Sequence, residues 1–148
     1  MKYFSLLITF TLITLFARAQ KTEDTTAIKN LLQKEAATWR AGDVKGHADC
    51  WFIEPYSRIL VSTPEGSFID VPPAYMINPP AGSMGKGGSA VQTDIKISIH
   101  GNDAWVSHYE ISTKADSTKS YTAEFRMLEK INGEWKMVAQ SIHAYKPK

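Results

Sequence analysis

The chain has 148 residues, with 17 Lys and Arg against 15 Asp and Glu and a single cysteine. A formal charge of +2 is too small for a basic nucleic-acid face, and one thiol excludes an internal disulfide framework. The length suits one domain that stabilises itself by packing.

The first residues read as a leader. Lys2 precedes an apolar run, Tyr3–Ala17, and Ala17-Arg18-Ala19 then matches an A-x-A cleavage site. The run falls short of the ~18–20 residues that span a bilayer. The expectation is therefore a signal peptide over residues 1–19, cut after Ala19. Residues 20–148 remain as a single exported domain, periplasmic or extracellular, without a stable membrane anchor. Lys2 and Arg18 leave with the leader, so the mature chain balances its charges.

Thr22–Ala41 reads as a helix. Asp24, Thr25 or Thr26 is the expected cap, and Ile28, Leu31, Leu32, Glu35, Ala36 and Trp39 recur at three- and four-residue steps. Gly42 ends it, and Asp43 caps a second, short helix reaching about Trp51, with Val44, His47, Ala48 and Trp51 on one side. Trp39 and Trp51 roof the core or line a cavity as rigid apolar walls. Cys50, beside Trp51 and Phe52, reads as a buried small hydrophobe rather than a nucleophile. His47 and His100 are expected at the surface.

After Pro55, Arg58–Thr63 is a strand, and Pro64-Glu65-Gly66 turns into a second around Ser67–Val71. Residues 72–90 are rich in proline and glycine and carry no periodicity. Such a segment inside a compact domain is a lid or a disordered insert. The lid reading carries Tyr75 and Met76 over a pocket. Gly85-Lys86-Gly87-Gly88-Ser89 is not a phosphate loop, because Lys86 is followed by Gly87 and no βαβ unit surrounds it.

Thr93–His100 alternates cleanly, with Ile95, Ile97 and Ile99 on one face. Gly101-Asn102-Asp103 turns into Ala104–Thr113, whose even positions are Ala104, Val106, His108 and Glu110. Tyr121–Tyr145 then reads as one long hairpin, because Asn132-Gly133 supplies the two positive-φ residues of a type I′ turn. A two-residue loop pairs Leu128 with Met137, Arg126 with Ala139, Glu124 with Ser141 and Thr122 with His143. One face is then mostly apolar, with Ala123, Phe125, Met127, Val138, Ile142 and Ala144, and Gln140 as the exception. The other runs from Leu128, Trp135 and Met137 to Arg126, Glu124, Ser141, His143 and Tyr145. A β-bulge would invert part of this sorting.

Gly101-Asn102-Asp103-Ala104-Trp105-Val106, Glu124-Phe125-Arg126-Met127-Leu128-Glu129-Lys130 and Asn132-Gly133-Glu134-Trp135-Lys136-Met137-Val138 resemble the nuclear transport factor 2-like superfamily, in particular its polyketide-cyclase-like and ketosteroid-isomerase-like small proteins. The resemblance spans about Thr22 to Tyr145. It implies an α+β, cone-shaped fold, a cystatin-like roll in which a strongly bent antiparallel sheet wraps the N-terminal helices and leaves a deep cavity at its open end. It also implies a homodimer through the sheet. It does not imply one activity, because the scaffold hosts isomerases, cyclases, hydrolases, dehydratases and non-catalytic binders. Residues 72–90 depart from the pattern, which commonly has a third helix there.

Facing inward with Ala104 and Val106, His108 and Glu110 approach Glu124, Arg126, Ser141 and His143. Three readings compete. In the first, His108, His143 or Glu110 shuttles a proton beside an apolar substrate, while Arg126 or Tyr145 holds an oxyanion. In the second, Trp39, Trp51, Tyr56, Tyr75, Glu124, Arg126 and Tyr145 line a non-catalytic pocket for a hydrophobic small molecule, with Glu124 and Arg126 paired structurally. In the third, His108, His143 and a carboxylate hold a metal, but no clustered ligand spacing supports it. The second reading, with no metal, cofactor or nucleic acid, is favoured. A convex sheet face bearing Phe125, Val138 and Ile142 is the candidate for dimerisation.

Overall fold

In the computed structural model the described residues are 2–147, with side chains over residues 20–147. The side chains of the expected signal peptide lie outside the described residues. Helix α1 (Lys2–Ala41) contains the expected Thr22–Ala41 helix. No cap forms at Asp24, Thr25 or Thr26, because the helix runs through them. Thr25 and Thr26 donate their hydroxyls back to the carbonyls of Lys21 and Thr22, and Asp24 faces the sheet. Helix α2 (Val44–Ala48) follows, with the Asp43 side chain accepting from the Gly46 amide. A Schellman closure separates the two helices. Gly42, at φ +71°, donates to the Trp39 carbonyl and Asp43 to that of Thr38.

The strands are β1 (Ile59–Ser62), β2 (Phe68–Val71), β3 (Gly88–His100), β4 (Asp103–Lys114), β5 (Lys119–Ile131) and β6 (Glu134–Tyr145). They form one sheet in the order β2-β1-β6-β5-β4-β3. The sheet is mixed rather than purely antiparallel, since β1 runs parallel to β6. The Asn132-Gly133 turn holds both residues at positive φ and pairs Ile131 with Glu134, as the sequence requires.

One residue overturns the rest of the hairpin register. Between Met127 and Leu128 the pairing shifts, so Val138 has no partner of its own. Leu128 still faces Met137, but Arg126 now faces Gln140, Glu124 faces Ile142 and Thr122 faces Ala144. Beyond the bulge the side chains of β6 exchange faces. Gln140 and Ile142 turn towards the helix side of the sheet, while Ser141, His143 and Tyr145 turn away. The expected convex patch of Phe125, Val138 and Ile142 is therefore corrected: Val138 is buried and Ile142 faces the cavity, leaving Phe125 on the exposed side.

The core lies between α1, α2 and the concave face. Ile28, Leu32, Cys50, Ile59, Val106, Leu128 and Met137 are essentially inaccessible. Each large aliphatic among them contributes ~1.5–3 kcal/mol by leaving water. Trp135 closes the narrow end, its indole nitrogen donating to Asp24 at 2.9 Å, and Lys130 adds an ion pair to the same carboxylate at 2.5 Å.

The 72–90 segment is more ordered than its composition indicates. It holds a 3-10 turn, Pro73–Met76, that buries Met76. Gly85 then donates to the Trp39 carbonyl at 3.0 Å and Gly87 to that of Arg40 at 2.7 Å. Gly87 thus occupies the Arg40 carbonyl at the end of α1, and Gly85 adds a second bond to the Trp39 carbonyl that already accepts from Gly42. Gly85 is required for this approach, since a Cβ there would stand 2.8 Å from the Arg40 Cα. The glycine-rich stretch thus fastens the end of α1 and forms part of the cavity rim.

Candidate functional site

A cavity of about 670 Å³ lies between α1, the 3-10 turn, the 84–87 segment and the concave face of the sheet. Its apolar wall includes Ala36, Trp39, Ile59, Val61, Met76 and Ile142. Its polar floor is built from both layers: Glu35 and His47 from the helices, and Glu124, Arg126 and Gln140 from the sheet.

Arg126 is the hub of that floor. It is enclosed on β5 and reaches Glu124 two residues away on the same face, with Nη2 to Oε2 at 2.5 Å and Nε to Oε2 at 3.2 Å. Nη1 donates to Glu35 Oε2 on α1 at 2.8 Å. Burial opposes the arginine's charge, but Glu35 and Glu124 outweigh it and raise its pKa above the ordinary arginine value. Burial likewise pushes the Glu124 carboxyl up. Arg126, the Thr122 hydroxyl and His108 together exceed that and hold Glu124 below its usual range.

A histidine stands at each end of this carboxylate–guanidinium–carboxylate row. His47 Nδ1 is 3.8 Å from Glu35, and His108 Nε2 is 3.7 Å from Glu124. Both distances exceed a hydrogen bond, and all four ring nitrogens are buried without a hydrogen-bond partner. Burial lowers the pKa of His47, with Glu35 opposing. Burial and then Arg126 lower that of His108, with Glu124 and Glu110 opposing. Both rings are neutral at pH 7. His47 also packs between Trp39 and Trp51, at ring-centroid distances of 5.0 and 6.2 Å. The surface position expected for it is corrected, because the short second helix folds back over the core.

A second ionic group stands nearer the mouth. Arg40, at the end of α1, pairs with Glu110 and donates to Ser112 on β4, and Gln92 donates to Glu110 at 3.2 Å.

The residues singled out from sequence divide clearly. Trp39, Glu110, Glu124 and Arg126 meet at the cavity. His108 faces inward as its strand pattern requires, yet it is enclosed behind Glu124 and does not border the cavity. Trp51 packs in the core beside Met137. His143 lies on the opposite face with Ser62 and Ser141, a consequence of the bulge. Tyr145 joins Tyr109 and Tyr121 on that same outer face. Tyr56 is exposed and donates to Glu129. Tyr75 is exposed, while its neighbour Met76 reaches the cavity.

His108 and His143 stand on opposite sides of the sheet, so the third reading's ligand set does not assemble. The described residues contain no group of three or more His, Cys, Asp or Glu placed to hold a metal ion. Cys50 is buried as expected, and desolvation pushes its thiol up to about 11. Sequence reasoning missed Glu35, Arg40, His47 and Gln140. Two of these left a trace: an acid within the apolar stripe of α1, and a lone amide on an apolar strand face.

No protein-family profile matches the chain, and no curated protein does. Solved structures do. An NTF2-like protein with a cystatin-like fold from Novosphingobium aromaticivorans aligns over 90% of each chain at 14% identity, with a TM-score of 0.65. A protein of unknown function with a cystatin-like fold from Nostoc punctiforme aligns over 84% of this chain and 92% of its own at 14% identity, with a TM-score of 0.63. An NTF2-like protein of unknown function from Shewanella oneidensis aligns over 81% and 98%, also at 14% identity, with a TM-score of 0.62. The fold is therefore the NTF2-like, cystatin-like one, an open α+β roll.

Proposed function

We propose, from the premise that the chain has the NTF2-like fold, that it is an exported domain that binds a small, largely apolar molecule in its conical cavity. The observation that carries this reading is the cavity itself. Its volume falls within the ~300–1,000 Å³ typical of ligand pockets, and it combines an apolar wall with a few convergent polar groups. The ion pairs of the floor satisfy one another, which supports a preformed binder. Ala17-Arg18-Ala19 supports export. Native mass spectrometry of the protein secreted by an expression host tests both parts. The expected mass corresponds to a chain beginning at Gln20, with a retained small molecule that is lost on denaturation. A consistently empty protein that also takes up no compound from an apolar library sinks the binding reading.

Acid–base catalysis is the second reading, and one observation favours it. His47 borders the cavity with both nitrogens unpartnered, 3.8 Å from Glu35. A positioned histidine contributes ~10²–10⁴-fold to a proton-transfer step. If the retained compound is converted, His47→Gln lowers the rate by that order, and an unchanged rate removes the reading.

A further inference from the structure

Gln140 is, beside His47, a cavity residue with a polar atom left unpartnered, and it is the one on the sheet. It is 8% exposed and lines the cavity opposite Arg126, its partner across the strands. Its amide nitrogen has a weak contact, 3.8 Å to the Met76 sulfur, and its Oε1 is buried with no hydrogen-bond partner. A buried acceptor without a donor costs ~1–3 kcal/mol, and one carried by a side chain that lines the cavity is open to a donor that enters and turns the amide towards it. A second observation gives the same sign. In the floor two carboxylates, Glu35 and Glu124, share the single guanidinium of Arg126, and the two flanking histidines are neutral at pH 7. The floor thus carries net negative charge in a poorly solvated place. It repels an anionic head and favours the positive end of an O–H or N–H dipole.

We infer that the cavity takes its ligand donor-end first: an apolar molecule whose inner end carries a hydroxyl or amino group that donates to Gln140 Oε1. This rests on the small-molecule reading above and specifies the chemistry it accepts. It ranks such donors above compounds whose inner end only accepts hydrogen bonds, such as ethers and ketones, whose oxygen the negative floor disfavours. The bulge at Val138 is what creates the selectivity, because without it Gln140 would face outward.

Two matched probes test the inference on the mature protein: 2-naphthol, which donates, and 2-methoxynaphthalene, which has the same rings and no donor. Fluorescence titration is expected to give naphthol an affinity about tenfold above the ether, although the ether is the more apolar compound. Gln140→Leu and Gln140→Met are expected to bring the two within about twofold. Equal affinities in the unaltered protein would overturn the inference while leaving the pocket reading intact. A naphthol preference that survives both substitutions overturns the assignment to Gln140. Failure of both probes to bind overturns the pocket reading, and this inference with it. The comparison in the unaltered protein stands even if a variant does not fold.

Discussion

Arg126 on β5 donates to Glu35 on α1 across 2.8 Å, and this ion pair joins the helix layer to the sheet beneath the cavity. Glu124 holds the other side of the same guanidinium. Removing one member of a buried set is costly because it strands the others. Arg126→Met is expected to lower the unfolding free energy by ~3–5 kcal/mol in urea titrations, since two carboxylates lose their counter-charge. Adding Glu35→Gln and Glu124→Gln to that variant should restore most of the loss. A single variant as stable as the parent would show that the row adds no net stability.

Acid should weaken the fold in two windows, with the same sign in both. His47 and His108 have pKa values lowered from 6.5, so between pH 6.5 and their folded values the unfolded chain binds more protons. Their contribution is complete above pH 6.5 and is lost as pH falls towards the folded values. Glu124 is lowered from 4.5, so its contribution is present above that pH and disappears as pH drops through the folded value. Stability measured by chemical denaturation should therefore decline from pH 7 to pH 5, at up to ~1.4 kcal/mol per pH unit for each histidine. His108→Gln should remove one proton's share of that slope. A flat profile from pH 7 to pH 5 contradicts the burial of the rings.

The bulge makes neighbouring residues on β6 behave oppositely. Ile142→Trp fills the cavity wall and is expected to weaken naphthol binding by at least about tenfold, as a steric block in a pocket does. His143→Trp points away from the cavity and should leave the affinity within about twofold. The reverse outcome would restore the unbulged register.

The outer face of the sheet exposes Trp105, Tyr109, Phe125, Met127 and Tyr145, with Trp105 stacked on Phe125 at 5.5 Å. An aromatic patch of this kind favours association, and we propose that two copies meet on it. Sedimentation at micromolar concentration should give a dimer, and Phe125→Glu should give a monomer that still binds naphthol. A parent protein that sediments as a monomer removes the proposal.

Much of the fold was legible because it follows from local rules. The stripe on α1, the Asn132-Gly133 turn and the inward set Ala104, Val106, His108 and Glu110 each depend on a period of a few residues. The fold's pattern was legible for the same reason, as a succession of such segments. What lay beyond the sequence was the point at which β6 changes face. Alternation carries no record of an unpaired residue, so the insertion of Val138 reassigned every later side chain. His143 left the site, and Gln140 and Ile142 entered it. The floor was equally hidden. Glu35 and Arg126 stand 91 residues apart in the chain, and their ion pair exists only because the sheet folds over the helix. The sequence by itself determined the helices, the later strands and where the hairpin turns, but not the 3-10 turn at Pro73–Met76 or the start of β3 at Gly88. The tertiary structure decided which polar groups face one another in the cavity, because a one-residue slip and a long-range ion pair depend on how the layers pack.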